Sequence, residues 1–421
     1  MNDDKNLDDL RRRRVENFKV QIPDEEFVPE KEPPVLNSHS DPEAARRATN
    51  QAERQAMRKA ERAHKRRNRE KRGKNKLFFR LVWLVMVLFV GFALAQYAVT
   101  GINDMLAIGR EKVGVTVEIP KNASTEQIAD ALHTAGVIQR PDFFKLYSKL
   151  TKADGHYNNG TYKIDTSMDY EAIINNLQSN ANRVDIVKIT FPEGTNAPEV
   201  AQLLQDNGVC SKDEALAYIN SNQLDEKYDF LKGLTGERYY RMEGYLFPDT
   251  YDFFKDEAPE NAISKLVSNC NKKLTKEVRD QIAASGMTTD EVMTLASMIQ
   301  AEAADEEDMY VISSVFHNRL NSDGTDGLLR LQSDPTMYYP YRTKAAVPED
   351  IRDTYSSKYN TYEIQGLPAG PICNPGSKAI DAALNPKDTK YYYFCHDAER
   401  NAYYARTLDE HQANLRKAGL R

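Results

Sequence analysis

Cysteine is scarce in this chain, with four residues in 421. Cys210, Cys270, Cys373 and Cys395 are scattered in a way that fits no zinc-binding pattern. Cys373 with Cys395 is the one pair that suggests a disulfide. His-Glu-x-x-His, Gly-x-Ser-x-Gly and Ser-x-x-Lys motifs are missing, which sets aside zincins, α/β-hydrolases and penicillin-binding transpeptidases. Histidine is sparse too, and His317 and His396 stand alone, reading as structural residues rather than metal ligands. No metal or cofactor is expected. Residues 1–76 lack a sustained apolar stripe and carry few aromatics and dense charge, so they read as mostly disordered. Their stretch from Pro42 to Lys76, rich in Ala, Arg, Glu and Lys, suits a solvated helix but no core.

Long apolar runs are also few. The one that stands out is Leu77 to Val99, interrupted by Arg80 and Gln96 and long enough to cross a hydrocarbon core about 30 Å thick. Trp83 and Tyr97 suit its two interfaces. It lies far from the N-terminus and lacks a clear cleavage site, so it reads as a single anchor and not a signal peptide. Charge divides on either side of it. Residues 1–80 hold 22 Lys/Arg against 15 Asp/Glu, leaving 35 against 48 for the remainder. The basic flank, 15 Lys/Arg against 4 Asp/Glu in residues 42–80, places the N-terminus in the cytoplasm and everything after about Gly101 outside. The run Lys65-Arg66-Arg67-Asn68-Arg69 therefore reads as juxtamembrane charge, and no nucleic-acid partner is expected.

Beyond the anchor the chain repeats itself. Val117-Glu118-Ile119-Pro120 leads through Ile128 to Leu132 and on to Gly136-Val137-Ile138. Seventy-two residues later, Ile189-Thr190-Phe191-Pro192 leads through Val200 to Leu204 and on to Gly208-Val209-Cys210. Each copy reads as a strand, a helix capped by Ser124 or Asn196, and a helix-stopping glycine. Gly160 to Ile164 reads as a further strand and Tyr170 to Leu177 as a further helix. Small strand-and-helix repeats of this kind resemble LysM-type carbohydrate-binding modules, although a plain spacer fits the pattern equally well.

The distal half is organised around the stretch from Thr288 to Glu302. Thr288 with Glu291 forms a capping-box pattern, and Val292, Leu295, Met298 and Ile299 recur at helical spacing. Glu302 falls inside that apolar arc, nearly in line with Leu295. A carboxyl there must be paired or have its pKa raised, which suits a proton donor at neutral pH. A helix from Glu306 to Leu320, a short one from Ser377 to Leu384 and a strand from Lys390 to Cys395 are also expected. The run Glu243-Gly244-Tyr245-Leu246-Phe247-Pro248-Asp249-Thr250-Tyr251 sets aromatic rings beside polar groups, as sugar recognition requires.

Taken together, these segments are similar to the MltG/YceG-like family of endolytic murein transglycosylases. The motifs that carry the resemblance are the 243–251 run, Leu-Ala-Ser-Met-Ile-Gln-Ala-Glu at 295–302, Asn318-Arg319-Leu320 and Leu331-Gln332-Ser333-Asp334-Pro335-Thr336. Tyr359-Asn360-Thr361-Tyr362 follows, then Gly366-Leu367-Pro368 leading to Asn374-Pro375-Gly376. Where the family usually has Glu-Lys-Glu, this chain has Gln300-Ala301-Glu302 and keeps the second acid. Ala369 replaces a usual proline. The long cytoplasmic tail and the insert Ser322 to Gly327 are not family-wide.

The resemblance implies an α+β architecture. A basic tail (1–76) and a transmembrane helix (77–99) precede a LysM-like unit (115–225) and a catalytic domain (236–421). It implies non-hydrolytic cleavage of the MurNAc-β-1,4-GlcNAc bond inside glycan strands, leaving a 1,6-anhydro end, with Glu302 as the catalytic acid. Gln332, Asp334, Thr336, Tyr359, Asn360, Glu243 and Tyr245 are the expected substrate contacts. Expected partners are glycan strands, the cytoplasmic membrane, peptidoglycan synthases and cell-division or elongation proteins. A hydrolytic muramidase using Asp334 or Asp249 to activate water, and a catalytically silent wall-binding scaffold, are the competing readings.

Overall fold

The computed structural model describes residues 42–234, 237–324 and 328–421. Most of the expected tail, residues 1–41, lies outside them, as do residues 325–327 of the insert. Helix α1 runs from Pro42 to Met105. Residues 42–76, expected within a mostly disordered tail but with a composition suited to a solvated helix, are helical, carried by a high density of helix formers. Within α1 the segment Lys76–Met105 is apolar, and its most apolar window is unburied with a mean hydropathy of 2.5, whereas Asp104 near its end is buried. The chain divides into two compact units after Leu94.

In the second unit, strand β1 (Gly114–Ile119) leads to helices α2 (Thr125–Thr134) and α3 (Pro141–Leu150), then strand β2 (Gly160–Asp165) and helix α4 (Tyr170–Ser179). β1 and β2 pair antiparallel, Val117 opposite Tyr162. The second copy repeats the plan. Strand β3 (Ile186–Thr190) is followed by helices α5 (Ala197–Asp206) and α6 (Lys212–Ile219), and β3 pairs antiparallel with β4 (Thr250–Phe254). Both repeat helices open on the expected residues, Ser124 and Asn196, each in a full capping box. Gly136 and Gly208 take positive φ at the ends of those helices, where a side chain would be strained.

The cores divide at a different place from the boundary expected near residue 225. One cluster holds Val117 to Leu177. The other starts at Ile189 and Phe191 and runs on without a break into Met298 and Ile299. The second copy thus packs with the distal residues because its partner strand, β4, follows directly on the Glu243–Asp249 run.

The distal part adds helices α7 (Pro259–Lys273), α8 (Lys276–Ser285), α9 (Thr289–Glu302), α10 (Glu306–Leu320) and α11 (Ser377–Leu384). A hairpin of β5 (Tyr393–His396) and β6 (Ala402–Ala405) and helix α12 (Leu408–Lys417) follow. α9 starts in the Thr288/Glu291 capping box. Every residue from Val292 to Ile299 is buried, including Thr294 and Ser297. The helix is therefore a central rod and not an amphipathic one. Its hydroxyls stay satisfied, with Thr294 donating to the Asp290 carbonyl at 2.7 Å and Ser297 to the Thr294 carbonyl at 2.7 Å. All four cysteines are free thiols, so Cys373 and Cys395 form no disulfide. Cys373 is buried and turns its Sγ toward the Ser297 carbonyl at 3.3 Å.

Candidate active site

α9 delivers Glu302 at its last turn, half-buried in the wall of a cavity of about 760 Å³. Desolvation pushes its carboxyl up to about 7, against the opposing pull of the Ser333 hydroxyl, which donates to Oε1 at 2.7 Å. Asp334 acts in both directions, its carboxylate repelling the ionised form while its backbone N–H favours it. The partial negative charge of a helix C-terminus disfavours a carboxylate as well. A carboxyl in this setting can hold a proton at neutral pH and give it up to a group in the cavity.

Ser333 reaches Glu302 because the loop carrying it is fastened from behind. Arg319, on the last turn of α10, is 5% exposed. Its guanidinium donates to the carbonyls of Arg330 and Leu331 at 3.0 Å and to Gln332 Oε1 at 3.0 Å. Gln332 is held at φ +51°, a conformation that L side chains seldom adopt, which turns the chain just before Ser333. Further on, the Ser333 N–H donates to Thr361 Oγ1 at 2.8 Å, and Tyr362 donates its hydroxyl to Asp334 Oδ1 at 2.6 Å. The 331–336 and 359–362 motifs therefore form one hydrogen-bonded unit that sets donors and a carboxylate around Glu302.

Of the expected site residues, Glu302, Gln332 and Asp334 share the cavity wall. The others face elsewhere. Thr336 is fully buried, donating to the Ser333 carbonyl at 2.6 Å. Tyr359 is packed in the core against Tyr339, and Asn360 donates to Glu363 Oε1 at 3.0 Å within its own loop. Tyr245 gives its hydroxyl to Asp290 at 2.8 Å. Glu243 is 1% exposed and accepts the Ala197 N–H at 3.0 and 2.9 Å, the Asn374 side-chain amide at 3.0 Å and the Tyr339 hydroxyl at 2.9 Å. The Glu243 and Asn374 motifs thus tie α5 to the loop before α11. Gln300, in place of the family's first acid, accepts the Gly376 N–H at 3.0 Å.

The far wall of the cavity comes from residues that the sequence did not mark as site residues: Tyr393, Phe394, Cys395 and His396 of β5, with His411 and Gln412 of α12. Tyr393 stacks on His411 with centroids 5.2 Å apart, and the Arg319 guanidinium lies 5.1 Å from the Tyr393 ring centroid. Aromatic faces and polar groups opposite a protonatable acid are the composition of a saccharide cleft. Among the described residues no His, Cys, Asp and Glu side chains converge as metal ligands would.

A sequence model described as the YceG-like family matches residues 117–417. An endolytic murein transglycosylase of Bacillus subtilis is 32% identical over 315 residues, 71% of this chain and 83% of the relative. Another protein of that name, from Streptococcus pneumoniae, is 29% identical over 362 residues, 80% of this chain. The match spans 63% of that longer relative. Among solved structures, a yceG-like protein of Listeria monocytogenes is 29% identical, with a TM-score of 0.47, covering 72% of this chain and 99% of the other.

Proposed function

The chain belongs to the YceG-like family, and from that premise we propose that it is an endolytic murein transglycosylase anchored in the cytoplasmic membrane. The observation that carries the chemistry is Glu302, one desolvated carboxyl whose pKa is raised to about 7 in a saccharide-sized cavity. Protonated Glu302 gives its proton to the glycosidic oxygen as the bond from C1 of N-acetylmuramic acid to that oxygen breaks. The carboxylate left behind takes the proton of the C6 hydroxyl as O6 bonds to C1, which closes the 1,6-anhydro ring and restores the acid. The nucleophile belongs to the substrate, so the two protein carboxylates of an ordinary glycoside hydrolase are not needed. Gln332, Asp334 and Tyr362 supply the polar contacts to the sugar whose C1 becomes electron-poor.

In this reading Leu77 to Val99, within the apolar Lys76–Met105 segment, is the anchor, with the basic residues before it in the cytoplasm and the cavity outside. The two β-α-α-β units engage glycan in the manner of LysM-type modules, feeding strands toward the catalytic part and limiting their length at sites of wall growth. Digestion of glycan strands in ¹⁸O-labelled water tests the reaction class. The expected products end in 1,6-anhydro residues without label. Reducing ends carrying one ¹⁸O would replace the transglycosylase with a hydrolase that activates water through Asp334.

A further inference from the structure

A second titratable cluster borders the same cavity. His396, the last residue of β5, lines it, and His396 Nε2 lies 2.7 Å from Asp308 Oδ2. Asp308, in the first turn of α10, has a side chain only 4% exposed. It also accepts the Ala304 N–H at 2.8 Å and the Tyr404 hydroxyl. Ala304 is two residues beyond Glu302, so one buried carboxylate fixes both the imidazole and the turn that ends the Glu302 helix. Burial pushes the Asp308 carboxyl up, but its donors outweigh that and hold it below the usual carboxylate range. An ionised Asp308 makes Nε2 a donor and favours the imidazolium. Among the described residues Nδ1 has no hydrogen-bond partner.

We propose that His396, anchored by Asp308, is a positioning residue that presents positive charge to Glu302 and so sets the pH range over which Glu302 keeps its transferable proton. This rests on Glu302 being the acid. In the first half of the reaction Glu302 becomes a carboxylate in a desolvated wall, and a neighbouring cation offsets that charge. The surrounding groups favour the arrangement. The Asp308 hydrogen bond raises the pKa of His396, burial opposes it, the Glu302 charge adds to it and Arg400 on the β5–β6 turn subtracts. Arg400 itself donates to the Ala303 carbonyl at 2.7 Å. Around Glu302, the Asp334 carboxylate raises the pKa while the His396 charge lowers it. Tyr404 reaches Asp308 from β6, and the Asp305 and Glu307 charges act on Tyr404.

Turnover by the purified full-length chain, measured from pH 5 to 9, tests the proposal. His396→Gln removes the charge while keeping a donor for Asp308. Because loss of a neighbouring cation raises the pKa of Glu302, the alkaline limb of the profile should move up by about one pH unit. His396→Lys, which restores a cation, should bring it back. An unmoved limb in a His396→Gln protein that melts at the wild-type temperature would overturn the proposal. Should that variant not fold, NMR titration of the wild type decides instead. A coupled charge pair titrates in two interdependent steps at Glu302 and His396, whereas two independent single-step curves would refute the coupling. Activity surviving in Glu302→Gln would remove the underlying mechanism, while an inactive Glu302→Gln with an unmoved His396→Gln limb would remove this inference alone.

Discussion

Two glutamates in this molecule have desolvated carboxyls, and burial pushes both up to about 7. Around Glu243 the Ala197 N–H, the Asn374 amide and the Tyr339 hydroxyl fill both oxygens, and Glu243 lines none of the described cavities. Around Glu302 the Ser333 hydroxyl and the Asp334 N–H are the donors, and the carboxyl borders a space that a sugar fits. A raised pKa therefore does not by itself mark a working acid. What separates the two regions is whether the proton has somewhere to go.

The comparison breaks most sharply at Glu302. Glu302→Gln keeps the shape and can still accept from Ser333, but it cannot shuttle a proton. Turnover should fall by at least about 10²–10⁴-fold, and further if the residue serves both steps. Stability should move the other way as pH rises. The folded-state pKa of Glu302 lies above the ordinary 4.5, so its contribution is full below pH 4.5 and is lost as pH rises through about 7. Denaturation at pH 5 and pH 8 should show the variant gaining on the wild type at the higher pH. A large loss of stability with activity retained would make Glu302 structural.

Glu243→Gln should do the reverse. Its amide nitrogen would face N–H and O–H donors, leaving buried groups unpaired at a cost of about 1–3 kcal/mol. Thermal unfolding should register that loss, while turnover per folded molecule stays close to wild type. A stable Glu243→Gln protein that cannot cleave glycan would erase the distinction between the two acids.

Ser333→Ala sharpens the comparison by moving Glu302 further from full solvation. Loss of a hydrogen bond to a charged group, about 1.5–3 kcal/mol, should slow turnover roughly tenfold or more and move the alkaline limb upward. An unchanged profile would mean that the 2.7 Å contact does not bear on the proton.

Legibility in the sequence followed the same division. The α9 helix was readable because its capping box and apolar repeat are local, and Glu302 because about two helical turns relate it to Leu295. The repeat copies were readable for the same reason. Thr336, Tyr359 and Asn360 were expected at the substrate from the motifs that carry the family resemblance, since a sequence does not tell whether a polar side chain bonds its own loop or faces outward. Glu243 and Tyr245 misled in a related way, because a carboxylate beside rings suits a sugar cleft as well as a buried staple. The far wall was missed because β5 and α12 come to line one cavity with Glu302 only in the folded chain. A signal for His396 was nevertheless present. It continues the expected 390–395 strand, where alternation puts it on the same face as Phe394.

The central claim is that the proton used in cleavage is the one held by Glu302. Its most direct test is to follow the ¹³C-labelled carboxyl of Glu302 by NMR and overlay that titration on the pH dependence of kcat/KM, which reports free-enzyme ionisations. The account predicts that the alkaline limb coincides with the Glu302 midpoint, near 7. A Glu302 already ionised well below the pH at which activity is lost would contradict it.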